Sequence, residues 1–210
     1  MSIGGPLRLV VLGDSIAYGT GARRADHTIG SRLAQRLGGH GYQVDLRVLA
    51  VPGATTRDLG AQVRRAVSLG VDVALIVVGA NDLTRLVPPT QSASALGTAV
   101  ATLRAVGARV VVVPAPDLSE LPFVPPVARP YVHQACSQLQ RLQAQATEAA
   151  GGVVAPISAE LASVFAADAA LFSGDRYHPS SAGYARIVDA LAPYIVGAAR
   201  SHSDALQPEH

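Results

Sequence analysis

The chain has 210 residues, 49% hydrophobic and 15% charged, with 17 basic against 15 acidic side chains and a formal charge of +2. That composition argues against a disordered chain, and basic residues scattered without a stripe argue against nucleic acid as a partner. All 17 basic residues are arginine, so a P-loop lysine, a Schiff-base lysine and a Ser-Lys dyad are excluded together.

The first predicted element is a strand over Leu7–Leu12. No apolar run in the chain reaches the roughly 18 residues of a membrane span, so no stable membrane insertion is expected. Leu7–Leu12 is also too short and too lightly preceded by charge for a secretory signal. A cytoplasmic location is therefore expected, or a secreted one if a leader precedes Met1. Gly13-Asp14-Ser15 follows the strand, and a helix is predicted over Ile29–Leu37 behind Thr28 as N-cap. A second strand over Val44–Ala50 leads to Pro52-Gly53-Ala54, and Thr56 is placed to cap a helix over Arg57–Leu69. A third strand, Val73–Val78, runs into Gly79-Ala80-Asn81-Asp82 and then a helix over Ser92–Val106.

After a fourth strand, Val110–Val113, the proline-rich stretch Pro114–Pro130 forms either a lid or pocket wall or a plain surface connection. The helix predicted over Tyr131–Ala150 carries the lone Cys136, whose neighbours offer no activation, so an inert thiol is expected. A weaker strand at Val153–Ala155 and the turn Asp175-Arg176-Tyr177-His178-Pro179 precede the last helix, Ala182–Ala199, which Ser180 or Ser181 is placed to cap. Residues 1–200 read as one domain and 201–210 as a flexible tail.

The strands are continuously apolar and alternate with helices, which predicts an α/β fold, a three-layer α/β/α sandwich around a parallel sheet buried on both faces. In such a sheet functional groups gather beyond the carboxyl ends of the strands. The loops there supply a hydroxyl (Ser15), backbone donors (Ser15 and Gly53), an amide donor (Asn81) and an acid–imidazole pair (Asp175 and His178), the parts an acyl-transfer site needs. His178 is the candidate base because Asp175 lies three residues before it; His27, His40 and His133 have no such neighbour, and His202 and His210 fall in the tail.

These blocks resemble the SGNH hydrolases, also called GDSL-type esterases and lipases, and look most like their compact bacterial thioesterase/lysophospholipase/arylesterase branch. Ser15 in Gly13-Asp14-Ser15-Ile16, Gly53, Asn81 in Gly79-Ala80-Asn81-Asp82 and Asp175-x-x-His178-Pro179 occur in the family's order over nearly the whole chain. The resemblance implies a flavodoxin-like sheet of five parallel strands and a small-molecule acyl ester or thioester substrate. It also implies a mechanism without cofactor or metal, through an acyl-enzyme on Ser15 with His178 and Asp175, and an oxyanion hole of Ser15, Gly53 and Asn81. Hydrolysis is the expected outcome, with acyl transfer to a sugar or other hydroxyl acceptor as the alternative.

Two positions depart from the pattern. Ile16 stands where leucine is usual, and the second block reads Val48-Leu49-Ala50-Val51-Pro52-Gly53 without the usual asparagine at the end of the strand. A dinucleotide turn, the rival use of the early glycines, fails because Gly19-Thr20-Gly21 continues as Ala22-Arg23-Arg24. Arg57, Arg85, Arg176 and Asp117 read as solvated loop charges, with approach to the crevice as the alternative.

Overall fold

The computed structural model describes residues 5–121 and 123–206. Five strands, β1 (Leu7–Gly13), β2 (Val44–Val48), β3 (Val73–Val77), β4 (Arg109–Val113) and β5 (Val153–Val154), form one parallel sheet in the order β2-β1-β3-β4-β5. The helices are α1 (Ser15–Tyr18), α2 (Ile29–Gly39), α3 (Leu59–Leu69), α4 (Ala80–Thr84), α5 (Pro89–Ala105), α6 (Arg129–Ala149), α7 (Ile157–Ala167) and α8 (Ser181–Ala205). The architecture is the α/β/α sandwich that the apolar runs imply. Among the described residues no helix is long and apolar enough to cross a membrane.

Both faces of the central strands are buried. Leu9, Val11, Val73 and Leu75 pack with Leu33 of α2 and Ile187 and Leu191 of α8, while Val10, Leu12, Ala74 and Ile76 pack with Leu59 and Val63 of α3 and Leu96 and Val100 of α5. A strand covered on each side has no polar face to present, hence the absence of alternation in its sequence. β2 departs from that expectation. It is the edge strand, half-buried to exposed throughout, and its Asp45 and Arg47 pair with each other at 3.0 Å. It also ends at Val48, two residues early; Leu49 and Val51 still donate to the carbonyls of Val11 and Gly13, at 2.8 and 3.0 Å.

Several helix ends differ from expectation. Thr28 makes no cap bond; its hydroxyl donates to the Ala25 carbonyl at 2.9 Å. Thr55, not Thr56, forms a capping box with Asp58, and a short 3-10 turn over Thr56–Asp58 precedes α3. Ser180 caps α8 by accepting from Gly183 N–H at 3.2 Å. α8 runs on to Ala205, so residues 201–205, expected as tail, are helical. They are docked: Arg109 donates to the Ser201 carbonyl at 3.0 Å, and His202 lies 3.4 Å from Asp72, the partner of Arg8. Residues 207–210 of that expected tail lie outside the described residues. α1, α4 and α7 have no counterpart in the sequence reading.

Candidate active site

Ser15 is positioned by the end of β1. Gly13 has φ 127° and approaches β3 so closely that a Cβ would fall 1.8 Å from the Val77 carbonyl oxygen, so glycine is required there. The chain then turns into α1, with the Asp14 carboxylate accepting from Ile16 N–H at 2.9 Å as its N-cap. Ser15 is the first residue of that helix, so its own N–H is one of the first-turn donors without an intrahelical acceptor. Burial pushes the Asp14 carboxyl up to about 6, against N–H donation from Ile16 and Gly79.

The loop before α8 presents the imidazole. Phe172 and Pro179 form an antiparallel bridge, Ser173 N–H donates to the His178 carbonyl at 2.8 Å, and Ser180 N–H donates to the Leu171 carbonyl at 2.7 Å. In the resulting hairpin Asp175 Oδ2 lies 2.6 Å from His178 Nδ1, and Oδ1 accepts from Ser173 Oγ and from the N–H groups of Tyr177 and His178. Burial works to raise the Asp175 carboxyl, but these donors, the His178 ring foremost, outweigh it and hold the group well below the usual carboxylate range. An ionised Asp175 on Nδ1 selects the tautomer whose Nε2 is bare, and Nε2 faces Ser15 Oγ at 2.9 Å. The Tyr177 ring meets the imidazole edge-on at 4.9 Å between centroids.

Asn81 lies in the first turn of α4, and its side-chain N–H donates to the Ala54 carbonyl at 3.0 Å. One bond orients the amide and leaves it a second hydrogen to donate. The Asp82 carboxylate, fully buried, accepts from Thr56 N–H at 3.0 Å and from the Thr56 hydroxyl at 2.6 Å. The loops after β2 and β3 are thus clamped together, with Gly53 (φ 82°) in the first of them.

Next to these loops lies an apolar cavity of about 140 Å³. Ile16 and Ala80, the neighbours of Ser15 and Asn81, form part of its wall, with Val77, Val113, Leu161 and Phe165 among the rest. Pro114, Pro116, Asp117, Leu118 and Leu121 line it too, so this part of the proline-rich stretch is pocket wall; Leu118 and Leu121 pack on Cys136 of α6. Burial raises the Cys136 thiol to about 11, the inert thiol expected. Arg57 and Arg85 line a separate depression, and Arg176 is exposed at φ 54° in the hairpin turn. A second carboxylate–imidazole pair, Asp117 with His133 at 2.6 Å, ties the cavity wall to α6, with the His133 ring mostly exposed.

Three supporting residues escaped the sequence reading. Gln62 of α3, buried, accepts from Gly13 N–H at 2.7 Å and donates to the Gly13 carbonyl at 2.9 Å, so the end of β1 receives a carboxamide although the second block lacks its asparagine. Gly21 (φ 92°) lies against the imidazole hairpin: a Cβ there would meet the Pro179 oxygen at 2.4 Å and His178 Cβ at 3.1 Å. Tyr184, fully buried on α8, donates to the Thr20 carbonyl at 2.8 Å and ties that loop down. The glycines weighed as a dinucleotide turn were the one available signal, and their use is close packing.

Residues 11–186 match the GDSL-like lipase/acylhydrolase family. A GDSL-like esterase of Mycobacterium tuberculosis is 39% identical over 189 residues, covering 88% of this chain and 60% of that protein, so the chain spans under two thirds of that relative's length. In fold it is similar to TesA (TM-score 0.73, 22% identity, 91% of this chain and 99% of that one). It is also similar to Axe2, an acetylxylan esterase of Geobacillus stearothermophilus (TM-score 0.72, 20% identity, 93% of this chain and 96% of that one). The family match covers most of the chain, and the chain belongs to the GDSL-like lipase/acylhydrolase family, the SGNH hydrolases.

Proposed function

We propose that this chain is a serine esterase that hydrolyses acyl esters through a covalent acyl-enzyme on Ser15, within one catalytic domain. The observation that carries the reading is the relay Asp175 Oδ2, His178 Nδ1, His178 Nε2, Ser15 Oγ, with contacts of 2.6 and 2.9 Å at its two joints. Ser15 Oγ attacks the acyl carbon while its proton passes to His178 Nε2, and Asp175 stabilises the imidazolium. The proton then goes to the departing alcohol oxygen. Water, deprotonated by His178, releases the acid in the second half. Negative charge on the carbonyl oxygen is met by the N–H groups of Ser15 and Gly53 and the free amide hydrogen of Asn81. The apolar cavity beside Ile16 and Ala80 suits the acyl chain.

A fluorophosphonate probe with mass spectrometry of the labelled peptide, beside turnover of an aryl ester, tests this. Labelling at Ser15, together with loss of nearly all turnover in folded Ser15→Ala and His178→Ala proteins, is expected. Undiminished turnover by folded Ser15→Ala overturns the assignment. Product analysis with added alcohols separates hydrolysis from acyl transfer.

A further inference from the structure

β2 is an open edge of the sheet, and backbone groups along it are unused. Leu7 N–H donates to the Gln43 carbonyl at 2.7 Å and Leu49 N–H donates to the Val11 carbonyl at 2.8 Å, so the odd-numbered residues of this segment turn their backbone groups to β1. Direction alternates along a strand, and Val44, Leu46 and Val48 therefore turn their N–H and C=O groups outward. Among the described residues no hydrogen bond reaches those groups. Edges are ordinarily blunted by lysine, proline or a bulge. β2 has none of these: the chain lacks lysine, the strand lacks proline, and its register with β1 is unbroken over five pairs.

The two charges on β2 are of opposite sign. Val44 and Leu46 pack toward α2, so Asp45 and Arg47 stand on the other face. There the sign alternates from strand to strand: Arg8 of β1 donates to Asp72 at 3.0 Å and is in register with Asp45. A second β2, running antiparallel with the partner's Leu46 opposite Leu46, lets Val44, Leu46 and Val48 exchange all their outward hydrogen bonds with it. Asp45 then faces the partner's Arg47 in a non-hydrogen-bonded pair, at a Cα separation of about 4.5 Å, and the alternation continues. A slip of two residues in one direction sets Asp45 against the partner's Asp45, and in the other sets Arg47 against the partner's Arg47. Like charges directly opposite are unfavourable, so the charges select the one register that is centred on Leu46.

The helix above the edge leaves room for this pairing. α2 lies over β2, where a Cβ on Gly30 would be 3.3 Å from Leu46 Cδ1. Ile29, Leu33 and Leu37 are buried in the core, while Arg32 donates to the Ser181 carbonyl at 3.3 Å and Arg36 pairs with Asp189 of α8. At about 3.6 residues per turn, the flank opposite α8 holds Ser31, Ala34 and Gly38. That flank overhangs the open edge, and its small side chains allow a second α2 to approach.

We propose that the β2 edge is a self-association surface, at which two copies of this chain pair their β2 strands antiparallel about a two-fold axis at Leu46 and join their sheets into one. Such an interface is isologous and closes at two copies. Sedimentation velocity and light scattering on the full chain, from about 1 to 500 µM, are expected to show a reversible dimer with a dissociation constant of about 10–100 µM, as suits a small interface. Asp45→Arg and Arg47→Glu each set like charges across both contacts, and each is expected to weaken the dimer at least about tenfold with an unchanged far-UV circular dichroism spectrum. Mixed in equal amounts, the two variants oppose unlike charges at both contacts and are expected to form a heterodimer as tight as the wild-type dimer. A wild type that stays monomeric over the whole range overturns the proposal, as does a dimer that survives both reversals or a mixture that fails to associate. Should Asp45→Arg not fold beside Arg8, hydrogen exchange of the wild type by NMR decides: protection of the Val44, Leu46 and Val48 amides that grows with concentration supports the pairing, and rates independent of concentration overturn it.

Discussion

At Asn81 one side chain serves two purposes, and the geometry separates them. One amide hydrogen is held by the Ala54 carbonyl, which fixes the plane of the group, and the other is left for the oxyanion of the proposed mechanism. A donor that is prealigned before charge appears needs no reorganisation in the transition state, and loss of one such donor costs about 100- to 1,000-fold in turnover. Asn81→Ala is therefore expected to lower kcat by that factor with KM nearly constant, measured on an aryl ester. A change confined to KM would mean that Asn81 binds ground-state substrate. Asp14, next to Ser15, gives a prediction of a different kind. Its carboxyl stands at about 6 in the folded chain against an ordinary 3.8. Below about pH 4 it is protonated folded or unfolded and contributes nothing; as pH rises to about 6 the unfolded chain releases the proton first, so this group lowers stability by roughly 3 kcal/mol at and above neutrality. The gap in unfolding free energy between Asp14→Asn and wild type, read from urea melts, is expected to move in favour of the variant between pH 4 and pH 7. A gap independent of pH would show that the carboxyl titrates normally.

The imidazole depends on residues outside the relay for its position. The hairpin from Leu171 to Ser180 carries Asp175 and His178, and the loop after α1 supports it through Gly21, while Arg23 N–H and His27 Nδ1 each reach Ser181 Oγ at 3.0 Å. A methyl group at Gly21 cannot fit 2.4 Å from the Pro179 oxygen, and φ 92° is itself unfavourable for alanine. Gly21→Ala is expected to shift His178 away from Ser15 and cut kcat about 10- to 100-fold in a protein that still folds, since sub-ångström misplacement of a base is enough. Crystallography of the variant, with the Nε2 to Oγ distance unchanged, would contradict this. The same loop marks the limit of what the sequence discloses. Asp175 and His178 are legible because their contact is local, three residues apart, and the buried strands are legible because continuous apolar runs have few other uses. Gln62, Gly21 and Tyr184 act through partners 49, 158 and 164 residues away along the chain, and no periodicity or spacing carries that information. α1 and α4 are too short, at 4 and 5 residues, to display a helical period. β2 is a half-buried edge strand although its sequence predicts a buried one, because strand burial depends on the order in the sheet, and Val44, Leu46 and Val48 look alike at a centre or an edge.

For the molecule as a whole, the sheet order β2-β1-β3-β4-β5 puts β1 and β3 side by side although the chain visits β2 between them, and the loops that leave β1 and β3 diverge there into a crevice. Ser15 and Asn81 stand on its two lips. One consequence is that the apolar cavity belongs to no single element: Ile29 of α2, Val77 of β3, Val113 of β4, Leu161 and Ala162 of α7 and Ile187 of α8 all face it. In the proposed esterase such a space acts as a gauge of acyl length. Each methylene that leaves water for an apolar wall gains about 0.8 kcal/mol, close to fourfold in kcat/KM, until the cavity is full and further carbons return to solvent. A series of aryl esters from acetate upward should thus rise steeply and then level off. Ala162→Phe adds an aromatic ring inside the wall, so the plateau should move to shorter chains and the ratio of kcat/KM for octanoate over acetate should fall by at least tenfold. A ratio that survives the added ring would place the acyl chain outside this cavity.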